Sequence, residues 1–479
     1  MASCYLDQKY EGFTQLITEG RTRFQNWCAN GVSDCLRIAE RSATFLRSTR
    51  NAAYSLGDYV AQPAIMLAAA PFLVHRLGFE QYGLWMLASA ILVGAGNLSA
   101  GFGDATLKYV SAYRASNDCA GIERTIRATL SINIVVSSLL AGSIFLSASL
   151  LTAAVRVPHE LHLPAIHTFQ ISAAVIICRS IESVFISTQR AFEQYGPAVK
   201  LSICLRSSVT GSAALIAALG HGVADIMAAT LFWSVVALML QCAAARKVAG
   251  NFKPTPSFRR EELKEVFEFG SFSWLQALAG VVFTYADRFL VGMLLGTGPV
   301  AIYVLCVQAA QPIHGVCAAI FNFLLPHLSS RQQAGDLRAF RHVFRWALWA
   351  NLLTTGGLAL PLIWGGRLIL TIWMGPKFAI EGAPSFVVLS VAYALLALNV
   401  VPHYSLLAMG NVRFVSGMNI LGGALSLCTA AVLIPNMGTI GAALGRVLYG
   451  CVTLMLLFRA TRTWSRSIPL YEEAVSLSD

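Results

Sequence analysis

The sequence predicts an all-α polytopic membrane protein, with about 12 transmembrane helices in two pseudo-symmetric six-helix lobes around a central cavity. Three observations carry that prediction: scarce charge, long stretches with none, and a faint internal repeat. Of 479 residues, 56% are hydrophobic and only 12% charged, whereas a soluble domain carries about 25% charged residues. No Asp, Glu, Lys or Arg lies between Arg127 and Arg156, between Arg288 and Arg331, or between Arg413 and Arg446. A helix crosses the hydrocarbon with about 20 apolar residues, so the run after Arg288, the longest of the three, holds most of two crossings. The alternation of an outer-membrane barrel is absent, and helices satisfy their own backbone bonds in lipid.

Taken in order, spans are expected near 53–75, 83–103, 128–150, 164–186, 201–219 and 226–245 in a first lobe, 51–245. A second lobe, 270–459, holds spans near 270–295, 299–326, 346–366, 384–408, 414–435 and 440–459. Residues 1–50 lack a continuous apolar core and read as a cytoplasmic tail, although Val32, Cys35, Leu36, Ala39 and Leu46 have the spacing of an interfacial helix. Residues 246–269, with Lys253-Pro254-Thr255-Pro256 and Arg259-Arg260-Glu261-Glu262, read as the cytoplasmic linker. Residues 460–479 form a second cytoplasmic tail.

Lys and Arg fall unevenly on the two sets of alternate loops, 27 against 4, with Arg179, Arg206, Arg288 and Arg446 inside spans. The positive-inside rule then puts both termini in the cytoplasm. The net charge of +11 is thus a topology signal and an affinity for anionic membrane lipid; no nucleic-acid partner is expected. None of the eleven cysteines falls in an outside loop, and no CxxC pair occurs, so neither a disulfide framework nor a thiolate metal site is predicted.

The repeat rests on short correspondences. Leu77-Gly78 through Trp85 matches Leu295-Gly296 through Tyr303, each between the first two spans of its half. Asp118 precedes Arg127 by the same interval as Asp336 precedes Arg345. Gly220-His221-Gly222 and Asn436-Met437-Gly438 join the last two spans of each half. Halves of six spans enter the membrane from the same side, a layout that puts a substrate path between them.

Pro71 to Arg76 with Leu77-Gly78-Phe79-Glu80-Gln81-Tyr82-Gly83-Leu84-Trp85 resembles the opening signature of bacterial polysaccharide transporters. Ala286-Asp287-Arg288 through Gly296, followed by Tyr303, resembles the same family. So do Pro326-His327-Leu328-Ser329-Ser330 with Gly335-Asp336, Ile372-Trp373-Met374-Gly375 with Phe378, and Asn436-Met437-Gly438-Thr439-Ile440-Gly441. Together, over about residues 53–460, these pieces are similar to the O-antigen and exopolysaccharide (Wzx-type) flippases of the multidrug/oligosaccharidyl-lipid/polysaccharide exporter superfamily. The resemblance implies translocation of an isoprenoid-pyrophosphate-linked oligosaccharide by alternating access of two lobes. It also implies coupling to a proton or cation gradient, no bound cofactor, and polysaccharide polymerase partners.

Seven ionisable residues fall within spans: Asp58, Arg179, Glu182, Arg206, Asp287, Arg288 and Arg446. Each costs about 2.5–3.5 kcal/mol at a helix centre and calls for a partner or a wet cavity. Arg179 and Glu182, three residues apart, share a helix face and can pair. Asp287 and Arg288 point about 100° apart, one toward the cavity and the other toward the neighbouring lobe. Arg446, near the outer end, is expected to reach the interface. A lipid-linked sugar head needs hydrated surface and forked donors for its phosphate, so Arg206, Arg288, Arg179 and Arg446 are the substrate-binding candidates. Asp58, Asp287 and Glu182 are the ion-coupling candidates.

Enzyme signatures are missing: there is no GxxxxGK[ST], HExxH or GxSxG, and His314, His327 and His403 are isolated in sequence. A transporter without metal or catalytic residues is therefore the reading. A cation-coupled drug antiporter and a membrane polymerase, ligase or sugar acyltransferase remain the alternatives, the first requiring an acidic cavity and the second a large external loop.

Overall fold

A computed structural model describes residues 63–99, 102–250 and 252–466. Asp58 and residues 1–50 lie outside the described residues. Among the described residues the secondary structure is helical, without strands.

Ten helical stretches are long and apolar enough to cross a bilayer. The first, Pro63–Ala115, is interrupted at Gly78, whose φ of 77° lies in the left-handed region, so it holds the end of span 1 and span 2. Spans 3 to 6 are Cys119–Ala154, His162–Ala191, Tyr195–Ala218 and Val223–Ala249. Span 7 is the long helix Arg260–Leu295. Spans 8 to 12 are Thr297–Gln333, Arg338–Met374, Pro376–Ala408, Val412–Met437 and Thr439–Thr461. With span 7 added to those ten and the first stretch counted as two, the described residues hold twelve spans.

The turns make the repeat explicit. Apart from Gly250, which ends span 6 at the connection, left-handed backbone occurs at Gly78, Asn117, Arg156, Glu193 and Gly220, then again at Gly296, Gly335, Gly375, Gly410 and Gly438. The five of the first half are matched in order, at a nearly constant offset, by five glycines of the second. Glycine takes this conformation without the steric cost a side chain brings, so the second half has the relaxed version of turns that Arg156 and Glu193 make under strain. The Asp118 and Asp336 carboxylates cap spans 3 and 9, each accepting a 2.9 Å bond from the amide three residues on, Gly121 and Ala339. The spacing of Asp to Arg seen in the sequence is thus a helix-start signal used twice.

A buried asparagine is also doubled. In the first half the Ser99 hydroxyl donates to Ser180 at 2.9 Å, and Ser180 donates to Asn133 Oδ1 at 3.2 Å. Asn351, at the position that corresponds to Asn133 in the second half, donates to the carbonyls of Ala397 and Leu398 at 2.9 and 3.3 Å. That second bond has a local cause. Pro402 lacks an N–H, leaving the Leu398 carbonyl without its partner one turn on, and a lone carbonyl in the membrane must be satisfied from another helix.

Breaks of this kind distinguish the second half. Span 8 is interrupted before Pro312 and again at 322–323, and span 10 at Asn399. Spans 3 to 6 run unbroken. Lipid contact is plain on span 9, where exposed Trp346, Trp349, Leu353, Leu360, Trp364 and Leu368 follow a helical stripe. Trp346 and Trp364 stand about 27 Å apart along the helix, the separation of two aromatic belts across a bilayer.

Two boundaries differ from the sequence reading. Helix continues to Ala249 and resumes at Arg260, because Arg, Lys and Glu at the water interface are good helix formers. The connection proper is residues 252–259, where Pro254 and Pro256 forbid helix. It is tied to span 3 by Arg127 Nε donating to the Thr255 carbonyl at 3.2 Å and Ser131 donating to the Ser257 carbonyl at 2.6 Å.

The loops poor in Lys and Arg carry the turns at Gly78, Arg156, Gly220, Gly296, Gly375 and Gly438, all at one end of the bundle. Hydrogen bonds between the halves cluster there. Arg156 Nη1 donates to the Leu294 carbonyl at 2.8 Å, Thr297 Oγ1 donates to Glu80, and Trp373 Nε1 donates to the Leu67 carbonyl at 3.0 Å. Phe79 stacks on Phe378 at 6.1 Å. Gly83 lies so close to the other half that a Cβ on it would sit 1.9 Å from the Thr297 carbonyl oxygen. Toward the charge-rich end, span 7 leans on the first half through Phe267 and Phe102, 6.4 Å apart.

Candidate functional site

In the first half, spans 4 and 5 bring Arg179, Glu182 and Arg206 into electrostatic range of one another, and all three are half-buried. The i,i+3 relation of Arg179 and Glu182 accounts for the first contact. Arg206 arrives from the neighbouring helix, a partner that local spacing does not reveal. Two guanidiniums to one carboxylate leave the group with an excess positive charge.

Span 7 presents its two charges in different directions, as expected from their angular separation on the helix. Asp287 turns into the second half. Arg288 lies 4.9 Å from the Tyr285 ring and within electrostatic reach of Tyr82, a fully buried residue of the first half. The Arg288 Nε and the Tyr82 hydroxyl are both buried without a hydrogen-bond partner among the described residues. A donor left unsatisfied in a membrane interior costs free energy, so Arg288 has a hydrogen bond in reserve at the junction of the halves.

Asp287 and Arg446 form the third group. Arg446 Nε donates to Asp287 Oδ2 at 2.6 Å and to the Tyr303 hydroxyl at 3.0 Å. Its Nη1 donates to the Tyr393 hydroxyl at 2.8 Å and its Nη2 to the Thr284 carbonyl at 3.0 Å. Tyr303 in turn donates to Asp287 Oδ2 at 2.5 Å. Four spans, 7, 8, 10 and 12, meet at this ion pair. The expected reach of Arg446 to the outer interface is not what the structure has: its side chain is 13% exposed. With a carboxylate and two phenols in range, inward pairing outweighs hydration at the membrane edge. Asp287 Oδ1 is buried without a partner among the described residues.

The seven charges therefore divide. Arg179, Glu182 and Arg206 are together, Asp287 and Arg446 are together, Arg288 stands at the seam with Tyr82, and Asp58 lies outside the described residues. Tyr82, Tyr303 and Tyr393 were missed as polar partners. Tyr82 and Tyr303 stand inside the two repeated segments, which was the available signal.

Known proteins bear on this arrangement. Residues 80–363 match the family model described as "Polysaccharide biosynthesis protein". A Shigella flexneri protein named "Putative O-antigen transporter" is 21% identical over 85% of this chain and 97% of its own. Among solved structures, an inward-facing multidrug resistance MATE family transporter of the MOP superfamily superposes with a TM-score of 0.71 at 15% identity, covering 85% of this chain and 96% of that one. The lipid II flippase MurJ, in an inward closed conformation, gives 0.66 at 13% identity over 85% and 87%. These structures share the fold with this chain. The family match spans more than half of the sequence, so the chain belongs to the polysaccharide biosynthesis protein family.

Proposed function

We propose that the protein carries an isoprenoid-pyrophosphate-linked oligosaccharide repeat unit across the bacterial inner membrane for surface or extracellular polysaccharide synthesis. The observation that carries this reading is the balance of charge inside the spans. Once Asp287 and Arg446 have neutralised each other, Arg179, Arg206 and Arg288 remain against Glu182 and against Asp58, which lies outside the described residues. A cavity with that excess suits a phosphate-bearing cargo, which guanidiniums grip with forked hydrogen bonds. A cationic drug would call for the opposite sign.

The sugar hydroxyls need a wet path, and the lipid tail stays in the bilayer. Alternating access supplies the path: the halves, joined at the end poor in Lys and Arg, part there while closing at the charge-rich end. By the positive-inside rule the charge-rich end and both termini are cytoplasmic, so cargo enters from the side where it is built. Arg206, Arg179 and Arg288 make the phosphate contacts in this reading. Arg446 joins them only when Asp287 releases it, which is where uptake of a proton or cation acts; Glu182, between two guanidiniums, is the corresponding carboxylate of the first half. Asp58 is a third coupling candidate. A polysaccharide polymerase is the natural partner on the far side of the membrane.

The test is export. Arg206→Ala and Arg288→Ala, each produced at the level of the unaltered protein, are expected to abolish surface polysaccharide in cells that depend on this gene, with lipid-linked repeat units accumulating inside. Full export by both variants would overturn the assignment.

A further inference from the structure

His314 and His403 are far apart in sequence, yet the fold sets them together. His314 follows the break that Pro312 makes in span 8, and His403 follows Pro402 in the broken part of span 10. The helices Pro312–Phe321 and Val400–Ala408 touch. The two imidazoles act on each other electrostatically, and each keeps part of its surface accessible.

Their surroundings contain no counter-charge among the described residues. The titratable group acting on His314 is His403. Span 9 contributes the neutral Asn351 and Thr355, span 10 contributes Tyr404, whose ring stands edge-on to His403, and span 8 itself contributes Cys317, bonded to Thr355. The charges of the packed helices are occupied or lie at their ends. Arg331 pairs with Asp336, Arg459 covers the Phe414 ring, and Arg338, Arg341, His342 and Arg345 occupy the first turns of span 9; Lys377 and Glu381 occupy the first turns of span 10, Arg413 the first turn of span 11, and His327 the last part of span 8. One acceptor does await a donor. Asn399, one helical turn before His403 and so on the same face, has a buried Oδ1 without a hydrogen-bond partner among the described residues.

We propose that His314 and His403 form a proton-binding site at the two facing helix breaks, and that its charge state selects the conformation of the second half. Imidazole is the side chain whose ordinary titration falls near neutral pH. The carboxylates Glu182 and Asp287 are matched by guanidiniums; this pair is not. A first proton makes both nitrogens of one ring donors and gives the charged ring Asn399 Oδ1 as an acceptor. A second proton places two like charges side by side, which disfavours the close packing of spans 8 and 10. The breaks are where these helices yield most readily, since Pro312 and Pro402 have already removed hydrogen bonds there. Equivalent positions in the first half are Gly96 and Phe185, which cannot titrate, so the response is confined to one half. That this proton is exchanged for cargo movement rests on the transport reading above. The site itself does not.

The experiment needs no cargo, so its outcome and that of the export test are separable. The full chain, with its cysteines replaced and spin labels at Leu219 and Met437, exposed near the Gly220 and Gly438 turns, is placed in lipid nanodiscs. Distances are measured by pulsed electron resonance in mildly alkaline buffer and in acidic buffer well below the ordinary imidazole titration. Acidification is expected to raise the share of a second distance several-fold. The double variant His314→Gln, His403→Gln is expected to hold one distribution in both buffers. Each single variant is expected to keep a transition with a displaced midpoint, and these serve should the double variant fail to fold. A parent that does not respond to pH, or variants that all respond as the parent does, would overturn the proposal.

Discussion

The two halves of the molecule have the same turns, the same helix caps and a buried asparagine at the same place, yet they hold different charges. At the offset that relates Asn351 to Asn133, the counterparts of Asp287, Tyr303 and Arg446 are Ala69, Trp85 and Ala228. Those of Arg179, Glu182 and Arg206 are Ala397, Val400 and Ala424. Neither charged group is repeated. Spans 3 to 6 of the first half run unbroken beside a net positive trio, while the second half has broken helices, a self-neutralised ion pair and a pair of histidines. A doubled scaffold thus fixes geometry twice and chemistry once. In the reading proposed above, one half offers a grip for an anion, and the other has the parts that bend and take up charge.

That contrast is best broken at its strongest point. Asp287→Ala strands the Arg446 guanidinium in the second half, and loss of one partner of a buried pair costs about 3–5 kcal/mol. A pronounced drop in the thermal unfolding midpoint of the purified protein is the expected result. Asp287→Ala with Arg446→Met should recover most of it, because an apolar side chain packs there without a lone charge. The analogous change in the trio, Glu182→Gln, acts on a group that is only half-buried and is not expected to approach that loss.

The doubled asparagine sharpens the comparison further. Asn351→Ala removes the donor that serves two carbonyls of a broken helix, and a buried acceptor left alone costs about 1–3 kcal/mol. Asn133→Ala takes an acceptor from Ser180, which retains its bond from Ser99, so the expected loss is about 0.5–1.5 kcal/mol. Unfolding midpoints in one detergent, compared side by side, check the ordering. Equal losses would mean that the break at Asn399 is supported elsewhere.

At the smallest scale the halves should behave alike. Asp118→Ala and Asp336→Ala each remove one cap bond of equal length, for about 1 kcal/mol apiece. Matching decreases in midpoint would confirm that symmetry survives where local backbone geometry alone is at stake.

What could be read from the sequence follows the same division between local and distant causes. Span positions, the turns at Gly78 and Gly296 and the Asp-to-Arg spacings depend on a few neighbouring residues, and the sequence displays them. The relation of Arg179 to Glu182 is equally local. Arg446 was misplaced because its partner, Asp287, lies on another span far along the chain, and nothing in either segment announces the other. Its position near a span end suggested interface contact; packing of four helices decided otherwise. His314 and His403 look solitary for the same reason. Pro312 and Pro402 stand in apolar runs where a proline reads equally as a kink or a span end, and for Pro402 only the rescue of Leu398 by Asn351 decides between them.

Gly83 and Thr297 meet backbone to backbone. At this one point the junction relies on contour, while around it the bonds of Thr297 to Glu80, Arg156 to Leu294 and Trp373 to Leu67 supply the polar part of the contact. Contact by contour is intolerant of bulk: a single added methyl would run into the Thr297 carbonyl oxygen. Only the smallest residue lets the two halves meet this closely here.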